Sequence, residues 1–169
     1  RITVQVKGEG PLGNIVVCAD KNMNLKGCVT NPQVELELNS EGKIDVGRGI
    51  GAGTLTVIKD IGLKEPYVGT CELLTGEIGD DFAYYFNVSE QTPSVVSVGV
   101  LIDERGNVLK AGGYIIQPLP DCEESVIDKL ESINIKLPST VLSTNVYLAV
   151  PAVNVLPLVF CHVYPPNSK

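Results

Sequence analysis

The fold of this chain is decided by residues Gly79–Pro120, GDDFAYYFNVSEQTPSVVSVGVLIDERGNVLKAGGYIIQPLP. The first part, with the residue before it, predicts a helix, because apolar residues recur on one helical face: Ile78, Phe82, Tyr85 and Phe86. Thr92-Pro93 predicts the end of this helix, since the residue before a proline is pushed out of the α region. We therefore expect one amphipathic helix that leads directly into β-structure.

The second part of the stretch predicts a long β-hairpin that forms one unit with the helix. Its outgoing strand alternates, so that every second residue faces the same side: Val96, Val98, Val100 and Ile102. Asp103–Asn107 is a turn cluster, and Val108–Gln117 returns as the second strand. Gly112-Gly113 inside the returning strand predicts a β-bulge or a close approach of neighbouring backbone.

Upstream of the helix the chain predicts several short strands. Apolar and polar residues alternate from Ile2 to Lys7, which is typical of a half-buried strand. Further strands are predicted at the following positions: residues 14–20 and 25–30 as a hairpin, Val34 to Leu38 as a short edge strand, residues 55–59, and residues 67–74.

Two glycine-rich segments interrupt these strands. Gly8–Gly13 fits a G-x-G-x-x-G pattern, but a β-rich run follows it where a dinucleotide site requires a helix, so we expect a turn between two strands. Gly47–Thr54 lacks the Lys-Ser/Thr ending of a phosphate-binding loop, and we expect a pliable loop with tight backbone packing.

Downstream of Pro120 the chain predicts a second helix over Asp121–Ile133, with Asp121 and Glu124 as a capping pair. From Leu137 to Ser168 no residue carries a formal charge. This segment contains no run of about 18 clean apolar residues, so a membrane span is not expected. The predicted fold class is α+β, with mixed, largely antiparallel sheets and hairpins packed against a central helix and a C-terminal helix.

The composition of the 169-residue chain limits its partners. Its net charge of −7 argues against nucleic acid and anionic membranes, which both require a basic surface. Its five cysteines are widely spaced without a CxxC, which favours reduced thiols in a cytoplasmic protein: Cys18, Cys28, Cys71, Cys122 and Cys161. Because Arg1 opens directly onto a strand, we also expect that an N-terminal segment is missing.

YYF-x-x-SEQTPS, a hairpin and AGGYIIQPLP, in that order, resemble the core domain of heat shock protein 33, a bacterial redox-regulated chaperone. The resemblance continues upstream through VKGEGPLGNIVVCAD, DVGRGIGAGTLTVIKDIG and EPYVGTCELLTGEIGDDF. It covers residues 1–136 and leaves residues 137–169 as an atypical tail. The family signature falls, with a structural role expected, on these positions: Tyr67, Ser89, Glu90, Gln91, Pro93, Gly112, Gly113, Gln117 and Pro120.

The resemblance implies a holdase that binds unfolding client proteins under oxidative stress, acts as a homodimer and has no catalytic residue. In the family a C-terminal domain binds zinc through four cysteine thiolates, and oxidation releases the metal and unfolds that domain. None of the five cysteines here matches that motif. We therefore expect no cofactor or metal in this chain, and zinc only in a domain that it lacks.

Two other functions stay open at the level of the sequence. Asp80, Asp81 and Glu90 could serve a small hydrolase or lyase, although a solvated helix is the simpler interpretation of these charges. The single histidine, His162, beside Cys161, offers too few ligands for a metal site. The β-rich segments could instead form a structural dimerisation module.

Overall fold

The computed structural model of the protein describes residues 1–40, 42–103, 106–118 and 153–158. The chain divides into two compact units, Arg1–Gln91 and Thr92–Lys169. The division falls directly after the predicted helix. The expectation that helix and hairpin form one unit is therefore wrong, and each unit has its own sheet.

The first unit is a five-stranded antiparallel sheet with two helices, in the strand order β3-β2-β1-β4-β5. The bounds of its elements are β1 Ile2–Gly8, β2 Asn14–Ala19, β3 Leu25–Val29, α1 Val46–Ile50, β4 Gly53–Lys59, β5 Tyr67–Glu72 and α2 Ile78–Glu90. The predicted strands that start at Ile2, Asn14, Leu25, Leu55 and Tyr67 are confirmed, with bounds that differ from the prediction by at most two residues.

One face of this sheet packs against α2. Val4 on β1 lies opposite Val17 on β2 and Val57 on β4, so these apolar side chains share a face. The buried core of the unit consists of Val6, Ile50, Leu55, Val57, Cys71 and Tyr85. The helical face predicted from the sequence supplies Phe82, Tyr85 and Phe86, whose rings contact one another at centroid distances of 5.7–6.5 Å.

The two glycine-rich segments pack against each other backbone to backbone. Gly8–Gly13 connects β1 to β2 as a turn, as predicted, and Gly10 donates its N–H to the Ile50 carbonyl at 2.7 Å. A Cβ on Gly10 would lie 2.4 Å from the Gly49 carbonyl oxygen, so only glycine fits. The predicted tight backbone packing is confirmed.

The second glycine-rich segment is only partly a loop. Residues Val46–Ile50 form the short helix α1, so the prediction of a pliable loop there is wrong. Asp45 caps this helix by accepting a hydrogen bond from the Arg48 N–H at 2.9 Å. Two features offset the low helix propensity of glycine: the Asp45 cap, and the hydrogen bonds that the β1–β2 turn makes to the carbonyls of Gly49 and Ile50.

The edge strand predicted at Val34 to Leu38 is also wrong. Only one isolated bridge, between Leu38 and Ile44, forms in this region. The Leu36 side chain lies against Gly49, where a Cβ would come within 2.7 Å of it. Leu36 therefore packs against α1, whereas Leu38, which belongs to the same alternating pattern, is exposed.

The second unit contains a three-stranded antiparallel sheet in the order β6-β7-β8, with β6 Val95–Ile102, β7 Val108–Pro118 and β8 Val153–Leu158. The predicted hairpin is confirmed, and its turn is closed by Asp103, which accepts a hydrogen bond from the Asn107 N–H at 2.7 Å. The predicted C-terminal helix Asp121–Ile133 lies outside the described residues.

The α+β class, with antiparallel sheets and a helix packed on one of them, is confirmed. Within the described ranges, the helices are all too short or too polar to cross a bilayer.

The contact between α2 and β5 depends on a residue without a side chain. A Cβ built on Gly69 would lie 2.5 Å from the Tyr85 hydroxyl and 3.0 Å from its ring. We expect Gly69→Ala to lower the free energy of unfolding by about 1–3 kcal/mol through overpacking, measured by urea denaturation.

Gly27→Ala on β3 is the matched control, because its Cβ would meet no atom closer than 3.5 Å. We expect this variant to be as stable as the parent protein or slightly more stable. Equal effects of the two substitutions would contradict the proposed fit between Tyr85 and Gly69.

Candidate functional site

Two of the signature residues join the end of α2 to strand β5. The Tyr67 hydroxyl donates a hydrogen bond to the Ser89 carbonyl at 3.1 Å, which satisfies an acceptor that the last turn of a helix leaves free. The Ser89 hydroxyl in turn donates to the Thr70 carbonyl at 3.4 Å. Both residues therefore anchor the helix to the sheet.

Glu90, the next signature residue, pairs with a cation from the neighbouring strand. Its carboxylate forms a salt bridge with Lys59 on β4, and the two side chains are only 19% and 28% exposed. The Lys59 ammonium also lies 5.7 Å from the centroid of the Tyr67 ring, within range of a cation–π interaction. Glu90 is therefore a paired structural charge and not a free general base.

Tyr85 is fully buried, and its phenol lies near the Glu90 carboxylate. Burial first, and then the nearby Glu90 carboxylate, raise the pKa of its phenol well above the usual value near 10. Among the described residues its hydroxyl has no partner in good hydrogen-bond geometry. The folded state therefore favours the neutral, protonated form of Tyr85.

The remaining signature residues before the hairpin mark the end of the helix. Gln91 has a left-handed backbone conformation, with φ 49° and ψ 33°, and its N–H donates to the Phe86 carbonyl. Both Gln91 and Pro93 are exposed. The helix ends at Glu90, as the Thr92-Pro93 sequence predicted.

The signature residues on β7 belong to the second unit. Gln117 donates its side-chain N–H to the Ser94 hydroxyl at 3.0 Å, and that hydroxyl donates to the Thr92 carbonyl. A Cβ on Gly113 would lie 2.3 Å from the Ser97 carbonyl oxygen, so the predicted close approach of backbone is confirmed there. Pro120 lies outside the described residues.

The predicted bulge at Gly112-Gly113 is not found. Gly112 and Gly113 pair regularly with Gly99 and Val98, and the register shifts instead between Leu101 and Ile102. The glycines therefore serve the close approach of the strands, while the irregularity lies near the hairpin turn.

The structure does not bring the three candidate carboxylates together. Asp80 is exposed, whereas Asp81 is 1% exposed and accepts hydrogen bonds from the backbone N–H groups of Leu74 and Thr75 at 2.8 and 3.1 Å. Glu90 lies nine residues further along the same helix, about 14 Å away at 1.5 Å of rise per residue. The carboxylates therefore form no acid–base pair.

Asp81 is the site residue whose role the sequence reasoning missed. The sequence predicts a charge at a solvated helix start, but Asp81 is buried and fixes the turn from β5 into α2. A clue was present, because Asp81 follows Ile78 by three residues and precedes Tyr85 by four, which places it on the apolar face of the helix.

The turn between β1 and β2 offers no phosphate site. The N–H groups of Glu9, Gly10 and Leu12 donate to carbonyls of the α1 region, at 2.7–3.0 Å. Because these donors are occupied within the fold, they cannot cradle a phosphate. These hydrogen bonds agree with the prediction that Gly8–Gly13 is a turn and not a nucleotide-binding loop.

The cysteines of the described part of the chain are free thiols on two faces of the first sheet. Cys71 is buried, and burial first, then the charge of Asp81, raise the pKa of its thiol. No three potential metal ligands cluster within the described residues. Cys122, Cys161 and His162 lie outside these residues.

The comparisons with known proteins agree on one family. The model of the Hsp33 protein family matches residues 1–162. The chain belongs to the Hsp33 family. The match extends past residue 136, where the sequence analysis placed the end of the core, and that boundary stays a prediction.

Relatives named 33 kDa chaperonin support the assignment. The protein of Thermoanaerobacter sp. (strain X514) is 59% identical over 132 residues, covering 78% of this chain and 45% of the relative. The protein of Ruminiclostridium cellulolyticum is 51% identical over 139 residues, covering 82% of this chain and 47% of the relative. The chain thus matches slightly less than half the length of these relatives.

A solved structure shows the same fold. The crystal structure of the 33 kDa chaperonin from Thermotoga maritima, titled a heat shock protein 33 homologue, superposes with a TM-score of 0.77 at 37% identity. The alignment covers 92% of this chain and 58% of that one.

Buried Asp81 gives a prediction about stability. We expect Asp81→Ala to lower the free energy of unfolding by about 2–3 kcal/mol, because it leaves two backbone N–H groups without their charged acceptor. Asp81→Asn keeps one acceptor oxygen and should fall between the parent protein and the alanine variant. Both are measured by urea denaturation.

Asp80→Ala, one position earlier and exposed, is the control, and it should cost less than about 1 kcal/mol through the helix dipole alone. If it destabilises the protein as much as Asp81→Ala, the capping role of Asp81 is wrong.

Buried Tyr85 gives a prediction about pH. Since folding raises the pKa of its phenol above the unfolded value of about 10, its contribution to stability is complete below pH 10 and is lost as the pH rises above it. We expect Tyr85→Phe to lose less stability than the parent between pH 9 and pH 11. Denaturation curves at both pH values provide the measurement.

Tyr84→Phe is the control for that experiment, because Tyr84 is the adjacent, half-buried tyrosine on the same helix. This variant should retain the full alkaline loss of the parent. The same alkaline loss in both variants would refute the assignment to Tyr85.

Proposed function

We propose that this chain is a holdase core, which binds unfolding proteins and keeps them from aggregating without catalysing a reaction. The observation that carries the proposal is membership of the Hsp33 family, whose relatives are named chaperonins. Because the chain matches slightly less than half of those relatives, the activity of the whole proteins is a proposal for this chain.

Exposed apolar surface supports the proposal. The outer half of the β6–β7 hairpin presents large apolar side chains to solvent: Val98, Val100, Leu101, Ile102, Val108 and Leu109. Scattered apolar residues are common on protein surfaces, but several of them on the two strands of one hairpin suit the binding of an apolar partner. We propose that non-native client chains bind to this hairpin.

The geometry of the charged residues supports a function other than catalysis. Asp81 is committed to capping a turn, and Glu90 is committed to Lys59. A carboxylate that acts as a general base needs an unoccupied lone pair within hydrogen-bond distance of the substrate proton that it removes. No described observation favours the hydrolase alternative over the chaperone.

Redox control, zinc binding, a homodimeric state and a cytoplasmic location are parts of the same proposal. The resemblance implies each of them for the family. We propose that the zinc switch belongs to that part of the relatives' length which this chain does not match. Control of the chain by oxidation then needs that further part.

The proposal is tested by light scattering. A chemically unfolded client protein is diluted into buffer with and without the chain, in the absence of ATP. We expect the chain to suppress the growth of scattering in proportion to its concentration. Unchanged aggregation at several-fold molar excess of the chain would contradict the holdase proposal.

The location of the client surface is tested by paired variants. Val98→Thr with Val100→Thr keeps the β-branched shape but removes apolar surface from residues that are 48% and 61% exposed. We expect weaker suppression of aggregation with unchanged thermal stability. Met23→Asn is the matched control, since Met23 is 63% exposed in the β2–β3 turn and has φ 64°, which asparagine tolerates.

An equal loss of suppression in Met23→Asn and the double variant would show that the hairpin is not the client surface. Full suppression by the double variant would show the same.

A further inference from the structure

Strand β3 forms one edge of the first sheet, and among the described residues β2 is its only strand partner. Just beyond the two ends of β3, Asn24 accepts a backbone hydrogen bond at 3.1 Å and Thr30 donates one at 2.9 Å across the β2–β3 hairpin. Because hydrogen-bonded positions alternate along an antiparallel strand, the even-numbered residues of β3 bond to β2. The backbone N–H and C=O groups of Leu25, Gly27 and Val29 therefore point away from the sheet.

The opposite edge of this sheet, strand β5, is contacted by α2. The Ser89 hydroxyl donates to the Thr70 carbonyl of β5 at 3.4 Å, and the helix packs against β5 and β4. The β3 edge lies at the far side of the sheet, three strands from β5 in the order β3-β2-β1-β4-β5. The outward backbone groups of β3 are thus the ones in this sheet that suit a further strand.

The side chains beside the β3 edge form an apolar strip on the core face of the sheet. Leu25 lies opposite Ala19, and Gly27 lies opposite Val17. Leu25 is 45% exposed and Val17 is 39% exposed. Since Gly27 has no side chain, and a Cβ there would lie 3.5 Å from a Val17 methyl group, the strip has a shallow notch with Val17 as its floor. Every second side chain of an added strand would contact this strip.

The other face of the edge carries a positive charge. Lys26 stands between Leu25 and Gly27 in the strand, is exposed, and lies opposite Cys18 on the face away from the core. Opposite charges on neighbouring strands attract and like charges repel. The edge therefore favours a segment that alternates apolar and polar residues and carries a carboxylate on the Lys26 side.

We propose that the β3 edge binds an extended segment of a non-native protein as an antiparallel sixth strand of the sheet. The outward backbone groups of β3 select a polypeptide main chain, while the apolar strip and Lys26 select the side chains. That the segment comes from an unfolding client rests on the proposed holdase function. A long client chain then has a binding surface on the first sheet in addition to the β6–β7 hairpin.

The first test is binding of a fluorescent peptide to the full chain, measured by anisotropy. In the peptide, valine alternates with threonine around one central glutamate. In the proposed pairing the valine N–H groups face β3, so N-methylation of the valines should weaken binding by about tenfold or more. N-methylation of the alternate residues is the matched control and should leave binding unchanged. Retained binding of the valine-methylated peptide would overturn the proposal.

The second test changes the edge itself. Gly27→Pro removes an outward N–H from an edge position, where proline is tolerated, and should weaken peptide binding by about tenfold or more. Gly27→Ala keeps that N–H and should keep binding. Lys26→Gln should weaken binding of the glutamate peptide and leave its glutamine counterpart unaffected. Unchanged binding in a folded Gly27→Pro variant would overturn the proposal; if this variant unfolds, the methylated peptides decide.

Amide hydrogen exchange, resolved by NMR, locates the bound peptide. The amides of Leu25, Gly27 and Val29 should exchange rapidly in the free chain and slowly in the complex, because the peptide supplies their acceptors. Protection confined to other amides would overturn the proposal. Protection of these three in the free chain that rises with protein concentration would also overturn it, because a second copy would then occupy the edge.

Client aggregation separates this inference from the holdase proposal. Suppression of light scattering by the chain, together with no peptide binding at β3, would overturn the strand-addition site and leave the holdase function in place. Peptide binding at β3 without any suppression would do the reverse.

Discussion

The seating of the Tyr85 ring against Gly69 is the constraint on which the first unit depends. It brings α2 into direct contact with β5, because the strand has no side chain at that point. Tyr85 is fully buried there, among Leu55, Val57 and Cys71 of the sheet. The ring fills the space that a larger residue at position 69 would need, so helix and strand specify each other.

Polar contacts at the two ends of α2 hold the helix in this position. At its start, Asp81 binds the backbone of the preceding turn, and at its end Tyr67 binds the Ser89 carbonyl. The Lys59–Glu90 ion pair joins the last residue of the helix to β4. Because buried or half-buried charges are costly when unpaired, these residues serve the architecture and are not available for chemistry.

These contacts shape what the chain can do as a member of the Hsp33 family. Asp81 and Glu90 of α2 are engaged by hydrogen bonds and an ion pair, while large apolar side chains of the β6–β7 hairpin face solvent. The proposed holdase function agrees with this exposed apolar surface.

The sequence alone determined the α+β class, the main helix and the two hairpins, because hydrophobic periodicity and turn residues act over a few neighbouring positions. It also determined the family, because many short motifs occur in one order. Only the tertiary structure decided the hydrogen bonds that Asp81 accepts from the preceding turn and the helix over Val46–Ile50. The helix over Val46–Ile50 depends on its contacts with the distant β1–β2 turn, and Asp81 depends on the path of the backbone at Leu74 and Thr75. Hydrophobic periodicity specifies neither of these partners.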